Sequence, residues 1–178
     1  MNAASSRHRL LLTLLALCAE LGLLAREHFN GGVLAHHLLA NPDLPAVSNW
    51  WGLLLVPLLT WWTVGSVGRR AQRAASEGRA LKPAPLLAFL CALAYGGGLA
   101  ALFAAGNPLV DYLFFGLLGL ALVVRLWHPE YLLGFVLAMS FVAGPILPAM
   151  FGAVIALFSW LVHTAARALW RRLRPGLA

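Results

Sequence analysis

Acidic side chains are scarce, six in 178 residues, and all charged residues together make up only 11% of the chain. A water-soluble domain carries about 25%. A chain this poor in charge has too few polar groups to cover its own surface in water. Lysine is rarer still, with Lys82 alone. Cysteine is limited to Cys18 and Cys91, both inside apolar runs, where an unpaired thiol behaves as a small hydrophobe. No disulfide framework is expected. The chain has no glycine-rich phosphate loop, no H-E-x-x-H and no Asp-x-x-Asp pair. Nucleotide binding, zincin-type hydrolysis and diphosphate chemistry therefore have no motif to stand on. All six histidines fall at the ends of apolar runs or outside them, so no haem is expected between helices.

Hydrophobic residues are abundant, at 61% of the chain with a mean hydropathy of +0.81. The expected solvent is therefore lipid, and the expected fold is all-α, a polytopic transmembrane helix bundle in a single domain over residues 1–178. The net charge of +7 does not point to nucleic acid, because the basic residues flank apolar runs and form no basic face with interleaved aromatics. Arg7, His8 and Arg9 ahead of Leu10–Leu17 resemble the start of a signal peptide, but no small-residue cleavage site follows. The segment is read as a span.

About 20 residues are needed to cross the ~30 Å hydrocarbon core. Spans are expected over about 10–26, 48–68, 84–105 and 109–126. The last apolar stretch is too long for one crossing and contains Gly144-Pro145-Ile146-Leu147-Pro148. Proline removes a backbone donor and clashes with the preceding turn, so the stretch is divided into spans of about 131–145 and 148–167. A single kinked helix there, giving five spans, is the alternative. Lys and Arg concentrate on the cytoplasmic side of membrane proteins. With six spans and both termini inside, every basic residue except Arg26 falls on one face. With five, the arginines at 167, 171, 172 and 174 fall on the other. Residues 69–83 read as a basic cytoplasmic loop. The expected location is a cell membrane, and the richness in arginine and alanine favours a bacterial inner membrane.

The outer connection after the first span is the unusual segment. Gly31-Gly32 should break the first helix, and Val33–Ala40 then reads as a short interfacial or re-entrant helix that stops before Pro42. His28, His36 and His37 fall here with Glu27 and Asp43. Imidazole with carboxylate suits a divalent metal such as zinc, which makes His28, His36 and His37 the candidate ligands. The same groups can serve as general acid and base.

Acids inside spans are more telling, because charge in the bilayer is costly and such residues turn towards protein or water. Glu20 lies about 11 residues beyond Arg9, or ~16 Å at 1.5 Å per residue. Glu27, seven residues further on, shares its helix face. Packing of the first span on the fourth would bring Glu20, Glu27, His28 and Asp111 into one outward-facing vestibule. Glu20, His28 and Asp111 are the candidate catalytic residues, and Glu27, His36, Asn41, Asn49 and Trp50 the candidate ligand contacts.

Three functions are compatible with this pattern. The first is a membrane enzyme acting on an apolar or lipid-derived small molecule. The second is a binding or transport subunit for a small molecule or ion. The third is a structural partner of another membrane protein or of a second copy of the chain.

Overall fold

Apolar runs that cannot satisfy their backbone from lipid must do so internally, and helices are the simplest way. A computed structural model describes residues 3–37, 43, 45–82 and 84–173, and among these the chain forms six α-helices: α1 (Ala3–Phe29), α2 (Gly52–Ser76), α3 (Pro85–Ala104), α4 (Leu109–Val123), α5 (Pro129–Ala143) and α6 (Ile146–Leu173). Four of them, α1, α2, α3 and α6, are long and apolar enough to cross a membrane. Helices α4 and α5 are equally apolar but have 15 residues each. Large apolar side chains such as Leu15, Leu86, Phe115 and Phe141 stand exposed around the bundle. In water they would form patches beyond what a soluble monomer tolerates.

Local chemistry sets the helix ends. Pro85 and Pro129 open α3 and α5, where a missing N–H leaves no bond unmade. Helices α2 and α3 both close on a glycine with positive φ, Gly78 at 64° and Gly106 at 61°. Each turn satisfies its final carbonyls in the same way: Gly78 N–H donates to Ala75 O and Arg79 N–H to Ala74 O, while Gly106 N–H donates to Phe103 O and Asn107 N–H to Leu102 O. Asn107 Oδ1 then accepts from Leu109 N–H at 2.9 Å to start α4. The apolar stretch after Tyr131 breaks at Gly144 (φ 63°), so α5 and α6 are separate helices.

Helix α5 is the centre. It packs against α2, α3 and α6, with α1 outside α2, and α4 against α6 and α3. The α3–α5 pair is the closest because each helix offers the other a glycine. A Cβ on Gly96 would lie 2.9 Å from Ala138 Cβ and 3.1 Å from Phe135 O. One on Gly134 would overlap Phe89 O and come 3.0 Å from Leu93 N. Small residues let helices in lipid approach until dispersion contacts hold them. Leu99, Ala100, Phe135 and Met139 form one buried cluster at this seam, and Leu59, Leu133 and Val136 another between α2 and α5.

Three expectations change. Ala35–His37 is not helical: it forms strand β1, paired antiparallel with β2 (Ala46–Ser48) in the register Ala35–Ser48, His36–Val47 and His37–Ala46. Gly31 and Gly32, at φ 117° and 112°, turn the chain back after α1, and pairing with β2 supplies the hydrogen bonds a helical turn would have made. The remainder of the expected helix, residues 38–40, lies outside the described residues. Residues 69–76 are not loop but the last two turns of α2. Finally, α1 packs along α2, whereas α4 packs along α3 and α6, so the vestibule expected between the first and fourth spans is not built.

Candidate functional site

The two glutamates of α1 are brought to a common place by their seven-residue spacing, two turns along one helix face. Each is then held differently. Glu27 is the anchor of the hairpin: its Oε2 accepts from Leu34 N–H at 3.1 Å and its Oε1 from Asn49 Nδ2 at 2.7 Å. Asn49 N–H in turn donates to Leu34 O at 3.0 Å. Hydrogen bonds to a carboxylate are the strong kind, so Glu27 ties the chain leaving α1 to the chain entering α2.

Glu20 is buried at 3% exposure, and its Oε1 has no hydrogen-bond partner. It sits there because α2 begins with Gly52. A Cβ at Gly52 would overlap Glu20 Oε1 and come 2.6 Å from Pro145 Cγ. The α5–α6 turn closes the other side, since a Cβ on Gly144 would overlap Asn49 Oδ1. Glu27 is near enough to act on Glu20 electrostatically. The C-terminal end of α1, the N-terminal end of α2 and the α5–α6 turn therefore enclose two carboxylates and one amide, with one carboxylate oxygen unsatisfied. Leaving such an atom unmade in a low-dielectric site is expensive. A proton or a cationic group would satisfy it.

Other expected residues stand apart from this cluster. His28 is exposed and meets Phe29 edge to face at 5.6 Å. His36 is half-buried with an unpartnered Nε2, and His37 follows it on β1, so the two point to opposite faces of the hairpin. Among the described residues no three His, Cys, Asp or Glu side chains converge as metal ligands. Trp50 is exposed in the short 3-10 turn Asn49–Trp51 that precedes α2, with its N–H 3.4 Å from Ser48 Oγ. Asp111 is exposed in the first turn of α4. Asn41 lies outside the described residues.

A second buried polar cluster occupies the opposite end of the α2–α5 seam. Glu130, 1% exposed, receives Arg70 Nη2 on Oε2 at 2.6 Å. Arg70 Nη1 lies 2.8 Å from His128 Nδ1, which requires that ring nitrogen to be the acceptor. Thr63 Oγ1 reaches Pro129 O at 3.4 Å. Burial pushes the His128 imidazole below its ordinary value of 6.5, Arg70 and Arg125 push the same way, and Glu130 opposes them. In the sequence Arg125 and Glu130 read as solvated interface charges, with a pair across the short turn as the alternative. The structure supplies Arg70 instead, and the 56–63–70 spacing on α2 is the signal that places it on the buried face.

No protein-family model, curated protein or solved structure matches this chain.

Proposed function

We propose that this chain is a multi-pass protein of a cell membrane, and that Glu20, Glu27 and Asn49 bind a proton or a small cationic group as part of small-molecule or ion binding and transport. The observation that carries the reading is Glu20, a carboxylate buried at 3% exposure with one oxygen unpaired in a gap that exists because residue 52 is glycine. Membrane proteins place costly acids of this kind on ion and proton routes. An acid–base enzyme is less well supported, because His28 and Asp111 do not accompany Glu20.

Six crossings with both ends in the cytoplasm form part of the proposal. Six consecutive helices and the near one-sidedness of Lys and Arg support it. Helices α4 and α5 span roughly 22 Å each at 1.5 Å per residue, short of the ~30 Å core. Local thinning and interfacial flanking residues accommodate such a mismatch at modest cost.

Thermal unfolding of the purified protein in detergent tests the site, scanned against pH and against sodium, potassium, guanidinium and tetramethylammonium chlorides. Stabilisation by at least one of protons or these cations is expected in the native protein and lost in Glu20→Gln. A native protein indifferent to every condition, or a response that survives Glu20→Gln intact, would overturn the assignment.

A further inference from the structure

The gap that holds Glu20 is closed too tightly for most cations. The Gly52 backbone stands on one side, so near that an added Cβ would overlap Glu20 Oε1, and Pro145 Cγ lies 2.6 Å from the same point. Oε1 is itself sealed off from any water-sized space. An organic cation needs its own volume beside the carboxylate, and this packing leaves none there. A metal ion needs less room but must gather several oxygens at once to replace its water. The neighbouring oxygens are already committed. Glu27 Oε2 accepts from Leu34 N–H and Glu27 Oε1 from Asn49 Nδ2, while Asn49 Oδ1 is packed against Gly144. Among the described residues no three acidic, histidine or cysteine side chains converge on an ion.

A proton needs neither volume nor a ligand shell. It also removes the charge itself, and a buried carboxylate without a partner neutralises more readily than it stays ionised. The surroundings offer no cation to hold that charge instead. Helix α2 carries no titratable residue from Gly52 to Gly68, and the α5–α6 turn carries none. The hairpin contributes His36 and His37 beyond Glu27, and the charged group that acts on Glu20 is Glu27, of like sign. We infer that the ligand of the Glu20 site is a proton and that metal and organic cations are excluded from it. This rests on the binding role proposed above for Glu20 and names its ligand.

Infrared difference spectroscopy of the full-length protein in detergent, titrated with pH, tests the assignment. A protonated carboxyl absorbs apart from carboxylates and amides, and its band shifts in heavy water. As the pH is lowered from alkaline, the first such band to rise should belong to Glu20 and be absent from Glu20→Gln. Its midpoint should be the same in sodium, potassium, guanidinium and tetramethylammonium chlorides at equal ionic strength. Should Glu20→Gln fail to fold, native protein with isotopically labelled glutamate carboxyls still reports the band. Glu27, Glu77 and Glu130 all have N–H donors on their carboxylates, which leaves Glu20 as the first to protonate. A cation that lowers the midpoint or suppresses the band, with that effect gone in Glu20→Gln, would overturn the proton and keep the binding role. No Glu20 band and no cation response would remove both. A band that never ionises short of unfolding would also overturn the inference, because a ligand must be able to leave.

Discussion

His128 is the residue whose protonation the fold opposes most visibly. Its Nδ1 must accept from Arg70, and a protonated ring has no lone pair to offer. Protonation would also set a second cation against Arg70, with Arg125 adding to the repulsion and Glu130 only partly relieving it. The imidazole is thus held below 6.5 in the folded protein. Above that pH both folded and unfolded chains carry it neutral, and it contributes no pH dependence. As pH falls through 6.5 the unfolded chain takes up the proton first, so stability drops until the folded value is reached. His128→Asn keeps an acceptor for Arg70 and removes the titration. Thermal unfolding between pH 8 and pH 5 should show a steeper acid loss in the native protein than in His128→Asn. Parallel curves would mean that His128 does not couple protonation to the fold.

Among the elements, the α5–α6 turn bears most directly on the Glu20–Glu27–Asn49 site. Gly144 has φ 63° and ψ 172°, a region essentially restricted to glycine that costs other residues about 1–3 kcal/mol. A side chain there would also meet Asn49 Oδ1, and Asn49 is the residue that holds Glu27. Gly144→Ala should therefore destabilise the protein by at least the strain alone, and Gly97→Ala, where a Cβ meets nothing within 4 Å, should not. Equal melting temperatures for the two variants would show that the turn carries no strain. The helices were legible in the sequence because lipid as solvent demands long apolar runs, and the glycine–proline break was legible because Gly144-Pro145 cannot continue a turn. The hairpin was not. Three-residue strands such as Ala35–His37 leave no periodicity to read, and their pairing partner lies beyond the connecting segment. The end of α2 is hidden for the opposite reason. Residues 69–83 look like a basic loop in the sequence, although arginine, alanine and glutamine are good helix formers. That extension carries Arg70 to Glu130. Of the candidate site, Glu20 and Glu27 could be found from their spacing, but their joining to Asn49, Gly52 and Gly144 depends on which helices pack together, which no single sequence states.

At the scale of the whole molecule the deciding quantity is the number of crossings, because it determines which face the basic residues share. If α5 and α6 each cross, the end of α6 returns to the side of the α2–α3 connection. If they form one bent crossing, it emerges opposite. Phe29, Glu77, Ala105 and Arg172 are exposed positions at the ends of α1, α2, α3 and α6. Cysteine can be placed at each in turn after Cys18 and Cys91 are changed to alanine. A membrane-impermeant maleimide should label Phe29→Cys and Ala105→Cys in intact cells, and Glu77→Cys and Arg172→Cys only after lysis. Charge gives the physical reason: loops rich in Lys and Arg stay on the cytoplasmic side, and both Glu77 and Arg172 lie within basic segments. Labelling of Arg172→Cys in intact cells with Glu77→Cys protected would leave five crossings. The basic ends of α2 and α6 would then face opposite compartments, against the Arg167–Trp127 contact that sets the end of α6 beside the α4–α5 connection.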